Sequence, residues 1–288
     1  MGKYPKCTVI WIATCLSLVA EISFAQVAGG GWVSEDAASI RANAANPELR
    51  PHPPDAPHSL VIGIKGQISK NTVKKLSQSI LQEREDPIPA GLIVLLDSPG
   101  GDGMAAMQLG QLLRQANAHV VVTGECSSAC IFVLAGGVVR VAPSYSVGIH
   151  RGRITMSDAN AKIIKEVDVR ANPAAKAALQ HFEREAPLFF EAMGMSPELF
   201  PLMQSHQLKG VFRLSASEIS KMGLSGFDSH YLDRRVAVYQ QRGNPFPADH
   251  EELKKRTMRV ASRCSGFEKQ HSEFIRCYRE TLQNPFVN

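Results

Sequence analysis

Between residues 59 and 149, short uninterrupted apolar runs alternate with segments of helical period, and this alternation constrains the fold more than any other feature. Leu92-Ile93-Val94-Leu95-Leu96 is apolar at every position. Such a run fits a strand buried on both faces, because a strand with one wet face alternates apolar and polar residues. A strand at Ser59–Ile64 precedes it, and Lys70–Glu85 between them carries Val73, Leu76, Ile80 and Leu81 at helical spacing. Met104–Gln115, with Met104, Met107, Leu109, Leu112 and Leu113, predicts a second helix. Val120-Val121-Val122 predicts another strand, and Ala129–Ala135 an apolar helix that stops at Gly136-Gly137. Val139-Arg140-Val141 and Val147-Gly148-Ile149 read as two further strands. Repeated strand–helix–strand order implies right-handed βαβ crossovers and a largely parallel sheet. The stretch from there to about Asp228 reads as mainly helical, with no internal repeat.

The rest of the chain divides by composition. The 288 residues favour one large domain with appendages, and 44% hydrophobic with 20% charged is an ordinary globular balance. Residues 1–25 read as a cleaved signal peptide. Lys3 and Lys6 form a basic start, Cys7 to Ala20 is apolar, and Ser23 and Ala25 place small residues before Gln26. The competing reading is an uncleaved membrane anchor. Residues 26–57, rich in Gly, Ala, Asn and Pro, read as a linker, 58–235 as the α/β domain, and 236–288 as a C-terminal helical hairpin. In that hairpin Phe274, Tyr278 and Leu282 form an i, i+4, i+8 packing stripe. Net charge is +5 without an aromatic-studded basic run, so no nucleic-acid partner is expected.

Export changes how the cysteines read. Cys126, Cys130, Cys264 and Cys277 follow the signal segment, and four cysteines in an oxidising compartment imply two disulfides. Four cysteines allow three connectivities, and local spacing favours Cys126–Cys130 and Cys264–Cys277. A metal site formed by Cys126, Cys130 and His150 is the alternative for the first pair.

Two sharp turns follow buried strands. Pro99-Gly100-Gly101 frees the backbone to bring N–H groups close to a bound carbonyl. Ser128 stands where a strand hands over to a helix. Its hydroxyl is either an N-cap or a nucleophile whose oxyanion the Ala129 N–H would hold. His150, at the end of Val147–Ile149, is either a structural residue or the base that activates the serine.

Leu96-Asp97-Ser98-Pro99-Gly100-Gly101, Gly124-Glu125-Cys126-Ser127-Ser128-Ala129 and Val147-Gly148-Ile149-His150, in that order, resemble the three signature blocks of the Clp protease proteolytic subunit. Leu214-Ser215-Ala216-Ser217-Glu218 with Met222-Gly223-Leu224 is similar to that family's closing helix, so the resemblance covers roughly residues 58–228. It implies the α/β ClpP/crotonase-like fold of repeated βαβ units. It also implies Ser128 as nucleophile, His150 as general base, and the N–H groups of Gly101 and Ala129 as oxyanion hole. With the export signal, it points to a periplasmic or secreted ClpP-like serine peptidase acting on peptide or protein substrates. That enzyme would be a homo-oligomer, with no cofactor, no metal and no ATP-driven unfoldase.

The chain departs from the family at one place. The aspartate expected before the Leu-Ser-Ala block is absent from Ser205-His206-Gln207-Leu208-Lys209-Gly210-Val211-Phe212-Arg213. Asp158 or Asp168 folds in as third triad member, or a Ser–His dyad works slowly, or catalysis is lost. The alternatives to a peptidase are therefore a catalytically silent ClpP-like binding or assembly protein and a crotonase-type acyl-thioester enzyme. The cysteines that flank Ser128 read as a brace on the nucleophile turn.

Overall fold

A computed structural model of the chain describes residues 60–82, 92–157, 163–205, 210–241, 243, 249–264 and 271–282. The expected signal segment, 1–25, and lead-in, 26–57, lie outside them. In chain order the elements are β1 (Leu60–Lys65), α1 (Lys70–Gln82), β2 (Leu92–Ser98), α2 (Gly103–Gln115), β3 (His119–Ser127), α3 (Cys130–Gly136), β4 (Val139–Val141) and β5 (Val147–Ile149). There follow β6 (Thr155–Ser157), β7 (Ile163–Glu166), α4 (Pro173–Ala192), α5 (Leu199–Ser205), β8 (Phe212–Arg213), α6 (Ala216–Lys221), β9 (Gly226–Phe227), α7 (Ser229–Gln241), α8 (His250–Arg263) and α9 (His271–Leu282).

The expected α/β architecture of βαβ units is present. The main sheet runs β1-β2-β3-β4-β9, and β1–β2, β2–β3 and β3–β4 are parallel. The far edge of β3 is shared between two partners. His119–Val121 pair with β4, and Cys126–Ser127 pair with β5. The fully apolar β2 is buried on both faces, as its composition requires. Leu92, Val94 and Leu96 pack with residues of α1, α2 and α3, among them Leu76, Met107 and Ile131. Ile93 and Leu95 pack on the opposite face with Val121, Val141, Val260, Cys264 and Tyr278. Each such side chain contributes about 1.5–3 kcal/mol.

The C-terminal hairpin of α8 and α9 therefore supplies the second layer over the sheet. Tyr278 is buried there, with its hydroxyl 2.6 Å from His119 Nδ1 at the start of β3. The side chains of Phe274 and Leu282 lie outside the described ones. Helix α7 runs across residues 235 and 236, where the composition changes. No helix among the described residues is long and apolar enough to cross a membrane.

Two local structures differ from expectation. Strand β3 continues to Ser127, past the expected Val122, because it bulges against β2 between Val122 and Cys126. The Asp97 carboxylate accepts the Glu125 N–H there, at 3.1 Å, and lies against Gly124. The stretch between Ile149 and Asp228 is not mainly helical throughout, since it contains the antiparallel ribbon β6–β7 and the short strands β8 and β9. Strands of two residues carry no periodic signal, and distant partners such as Gly148 for Arg213 define them.

Helices α2 and α3 cross with backbones in contact. A Cβ on Gly136 would stand 2.1 Å from the Gly110 carbonyl oxygen, so only glycine fits. Arg114 at the end of α2 holds the end of α3, donating to the carbonyls of Ala135 (2.9 Å) and Gly136 (3.1 Å), to Met193 (3.0 Å) and to Asp228 Oδ2 (2.5 Å). Burial alone would push the Asp228 carboxyl up. The Arg114 charge, the Tyr231 N–H and Arg140 outweigh it and hold the group below its usual range. Arg140, buried beside them, is lowered to about 9 by burial and by the Arg114 charge. Removing Arg114 leaves a buried carboxylate and open helix carbonyls. Arg114→Ala should therefore lower the unfolding free energy by about 3 kcal/mol, read as an earlier urea midpoint. An unchanged midpoint would show that this clamp stabilises nothing.

Candidate active site

Parallel register brings three strand ends to one edge of the sheet. Ser98 of β2 pairs with Cys126 of β3, and Cys126 and Ser127 pair with Val147 and Gly148 of β5. The residues that follow, Gly100-Gly101, Ser128-Ala129 and His150, leave the sheet side by side at its C-terminal edge, where open α/β sheets bind ligands.

Ser128 follows the last residue of β3 and precedes α3, whose N-cap is Ala129. Its φ is +58°, a left-handed conformation that costs a non-glycine residue about 1–2 kcal/mol. Two backbone bonds hold it. Its N–H donates to the Gly148 carbonyl at 2.9 Å, and its carbonyl accepts from the Ile131 N–H at 3.2 Å. The helix behind it is fixed by Phe132, stacked on Phe190 at 4.7 Å between ring centres and edge-on to Phe182 and Phe189. The disulfide Cys126–Cys130 straddles the serine, with Cα atoms 5.2 Å apart. Cys264 and Cys277 form the second bridge, at 5.7 Å. Both expected pairings are present. The alternative metal site is overturned, because the two sulfurs it needs are bonded to each other. No cluster of three metal-ligating side chains occurs among the described residues.

The glycine turn lies directly against this serine. Gly100 has φ +104°, and a Cβ on it would stand 2.7 Å from Ser128 Cβ and 2.9 Å from the Ala129 nitrogen. The buried Ser98 hydroxyl accepts the Gly100 N–H at 3.1 Å. Gly101 bridges Ile68 in parallel, through Ile68 N–H to Gly100 O (2.8 Å) and Asp102 N–H to Ile68 O (2.9 Å). Neither bond uses the N–H of Gly101 itself. Asp102 then caps α2, accepting from the N–H groups of Met104 (2.9 Å) and Ala105 (3.1 Å). Ser98 and Asp102 were not singled out from the sequence. An Asp just before an apolar helical segment is the signal that could have found the second.

His150 follows β5, with Nδ1 2.6 Å from the carbonyl oxygen of Arg151. Burial lowers its pKa from 6.5 and the Arg153 charge adds to this, against the Arg151 carbonyl and Glu166. The imidazole is thus neutral at neutral pH. No hydrogen bond joins it to the Ser128 hydroxyl. Of the two aspartates weighed as third member, Asp158 lies outside the described residues. Asp168 is exposed and accepts the Arg170 N–H at 2.9 Å. The carboxylate whose charge bears on the ring is Glu166, which the sequence reading did not name. On the neighbouring side of β3, Glu125 accepts from Arg213 (2.6 Å) and from Ser127 Oγ (3.2 Å), tying β8 to the strand that carries the serine.

No family model matches the chain. No curated protein matches it either. Among solved structures, the chain is similar to a mutant of the 1510-N membrane-bound stomatin-specific protease. The identity is 18% and the TM-score 0.41, over 62% of this chain and 86% of that one. It is also similar to a mutant of ClpP1 from Listeria monocytogenes, at 15% identity and TM-score 0.41, over 57% of this chain and 88% of that one.

Two outcomes test the packing around Ser128. If Ser128 is a nucleophile, Gly100→Ala should lower its labelling by a fluorophosphonate by about 100-fold or more, because the added methyl collides with Ser128 and the Ala129 nitrogen. The double variant Cys126→Ala/Cys130→Ala should slow the same labelling by about tenfold through relaxation of the left-handed turn. Cys264→Ala/Cys277→Ala should instead lower stability by about 3 kcal/mol. Equal effects of the two cysteine pairs on labelling would remove the brace argument.

Proposed function

We propose that the chain is a serine hydrolase of the ClpP-like kind, a peptidase cleaving extended or unfolded peptides. The observation that carries this reading is the meeting of a glycine turn, a strained serine turn and a neutral histidine on one sheet edge. In this reading Ser128 Oγ attacks the scissile carbonyl while His150 takes the hydroxyl proton. The N–H groups of Gly101 and Ala129 hold the oxyanion. The protonated His150 then gives its proton to the leaving amine, and water hydrolyses the acyl-enzyme. The substrate lies as an added strand along Gly100-Gly101.

Export to the periplasm or beyond is part of the same proposal, supported by the two disulfides. So are a homo-oligomeric state and operation without an ATP-driven unfoldase. A catalytically silent binding protein is the second reading, and the absence of a hydrogen bond between Ser128 and His150 favours it.

A fluorophosphonate probe separates the two. Ser128→Ala should abolish labelling, and His150→Ala should slow it by about 100-fold or more. Because the His150 pKa is lowered, the neutral base persists below the usual histidine range, so labelling should be lost only as pH falls through a midpoint below 6.5. A folded chain that labels at no pH is the silent protein.

A further inference from the structure

The sequence lacks the aspartate expected to orient His150, yet the ring is already held on one nitrogen. We infer that the main-chain carbonyl of Arg151 is the orienting group for His150, fixing the proton on Nδ1 and leaving Nε2 as the base. This rests on the reading of Ser128 and His150 as nucleophile and base.

A neutral imidazole carries one N–H, and a carbonyl oxygen only accepts. With Nδ1 2.6 Å from the Arg151 oxygen, the proton of the neutral ring resides on Nδ1. Nε2 then carries the lone pair that a serine hydroxyl proton needs. An orienting carboxylate would select this same tautomer. The segment that presents the carbonyl is anchored a few residues on. Val167 N–H donates to the Ile154 carbonyl at 2.8 Å, and Arg153 lies 3.9 Å from Glu166 across the β6–β7 ribbon.

A carbonyl differs from a carboxylate in one respect. It orients the ring as well, but it is neutral and stabilises the imidazolium less. The charged groups acting on the ring are Arg153 and Glu166, of opposite sign. The arrangement should give a correctly oriented, weakly basic histidine that is slow but active in mild acid. A dyad with a freely rotating ring would instead spend time in the unproductive tautomer.

The tautomer can be read directly, independently of catalysis, by nitrogen-15 NMR of the full-length chain with labelled histidines, at a pH where His150 is neutral. The resonance is assigned by its loss in His150→Gln. Proton on Nδ1 is the expected result, and proton on Nε2 overturns the inference. A second measurement replaces the Arg151–Gly152 peptide bond by an ester, whose carbonyl is a weaker acceptor. Phosphonate labelling should slow by about tenfold, and its pH midpoint should move down, since the bond to Arg151 raises the ring's pKa. The same replacement at Gly152–Arg153 should change the rate by no more than about twofold. Equal slowing by both esters overturns the inference, because a loosened loop would then explain it. Labelling that persists while the proton is found on Nε2 sinks this inference alone, whereas a wild-type chain that never labels sinks the peptidase reading.

Discussion

The molecule depends on the parallel register that sets Ser98 beside Cys126 and Cys126 beside Val147. Parallel pairing aligns strand ends as well as strand bodies, so the residues that follow emerge together at one edge. A slip of one residue would reverse every side chain of β2 between the two cores. Those cores specify the register: Leu92, Val94 and Leu96 have their partners under the helices, and Ile93 and Leu95 under the C-terminal hairpin.

At that edge the structure holds one strained residue and places support around it. Ser128 in the left-handed region is the unfavourable backbone conformation at the edge, whereas Gly100 and Gly101 adopt positive φ without steric cost. The disulfide spanning the serine, the Gly148 carbonyl on its N–H, and the aromatic packing of Phe132 behind it hold that residue. Strain kept in place by surrounding structure is characteristic of reactive sites. The Arg114 clamp serves the same helix from its other end, with the Gly110–Gly136 contact between.

The histidine illustrates how a site is completed from what lies at hand. Its ring is fixed by a carbonyl one residue away and tuned by burial, Arg153 and Glu166, while the candidate aspartate Asp168 serves its own turn. No residue type in the sequence advertises this, because every residue has a carbonyl and only geometry selects one.

What the sequence determined by itself is whatever rests on local pattern. The apolar β2, the helical periods of α1 and α2, the turn glycines and the short-range Cys126–Cys130 pair are all legible residue by residue, because period and spacing translate directly into burial and reach. Tertiary structure decided the rest. It extended β3 to Ser127 through the Asp97 contact, and made β8 and β9 out of two-residue segments. It laid the polar-looking C-terminal hairpin over the second face of the sheet, and chose the Arg151 carbonyl for the histidine. In each case the partner is distant in sequence or is a backbone atom, and neither kind of contact leaves a periodic trace in the chain.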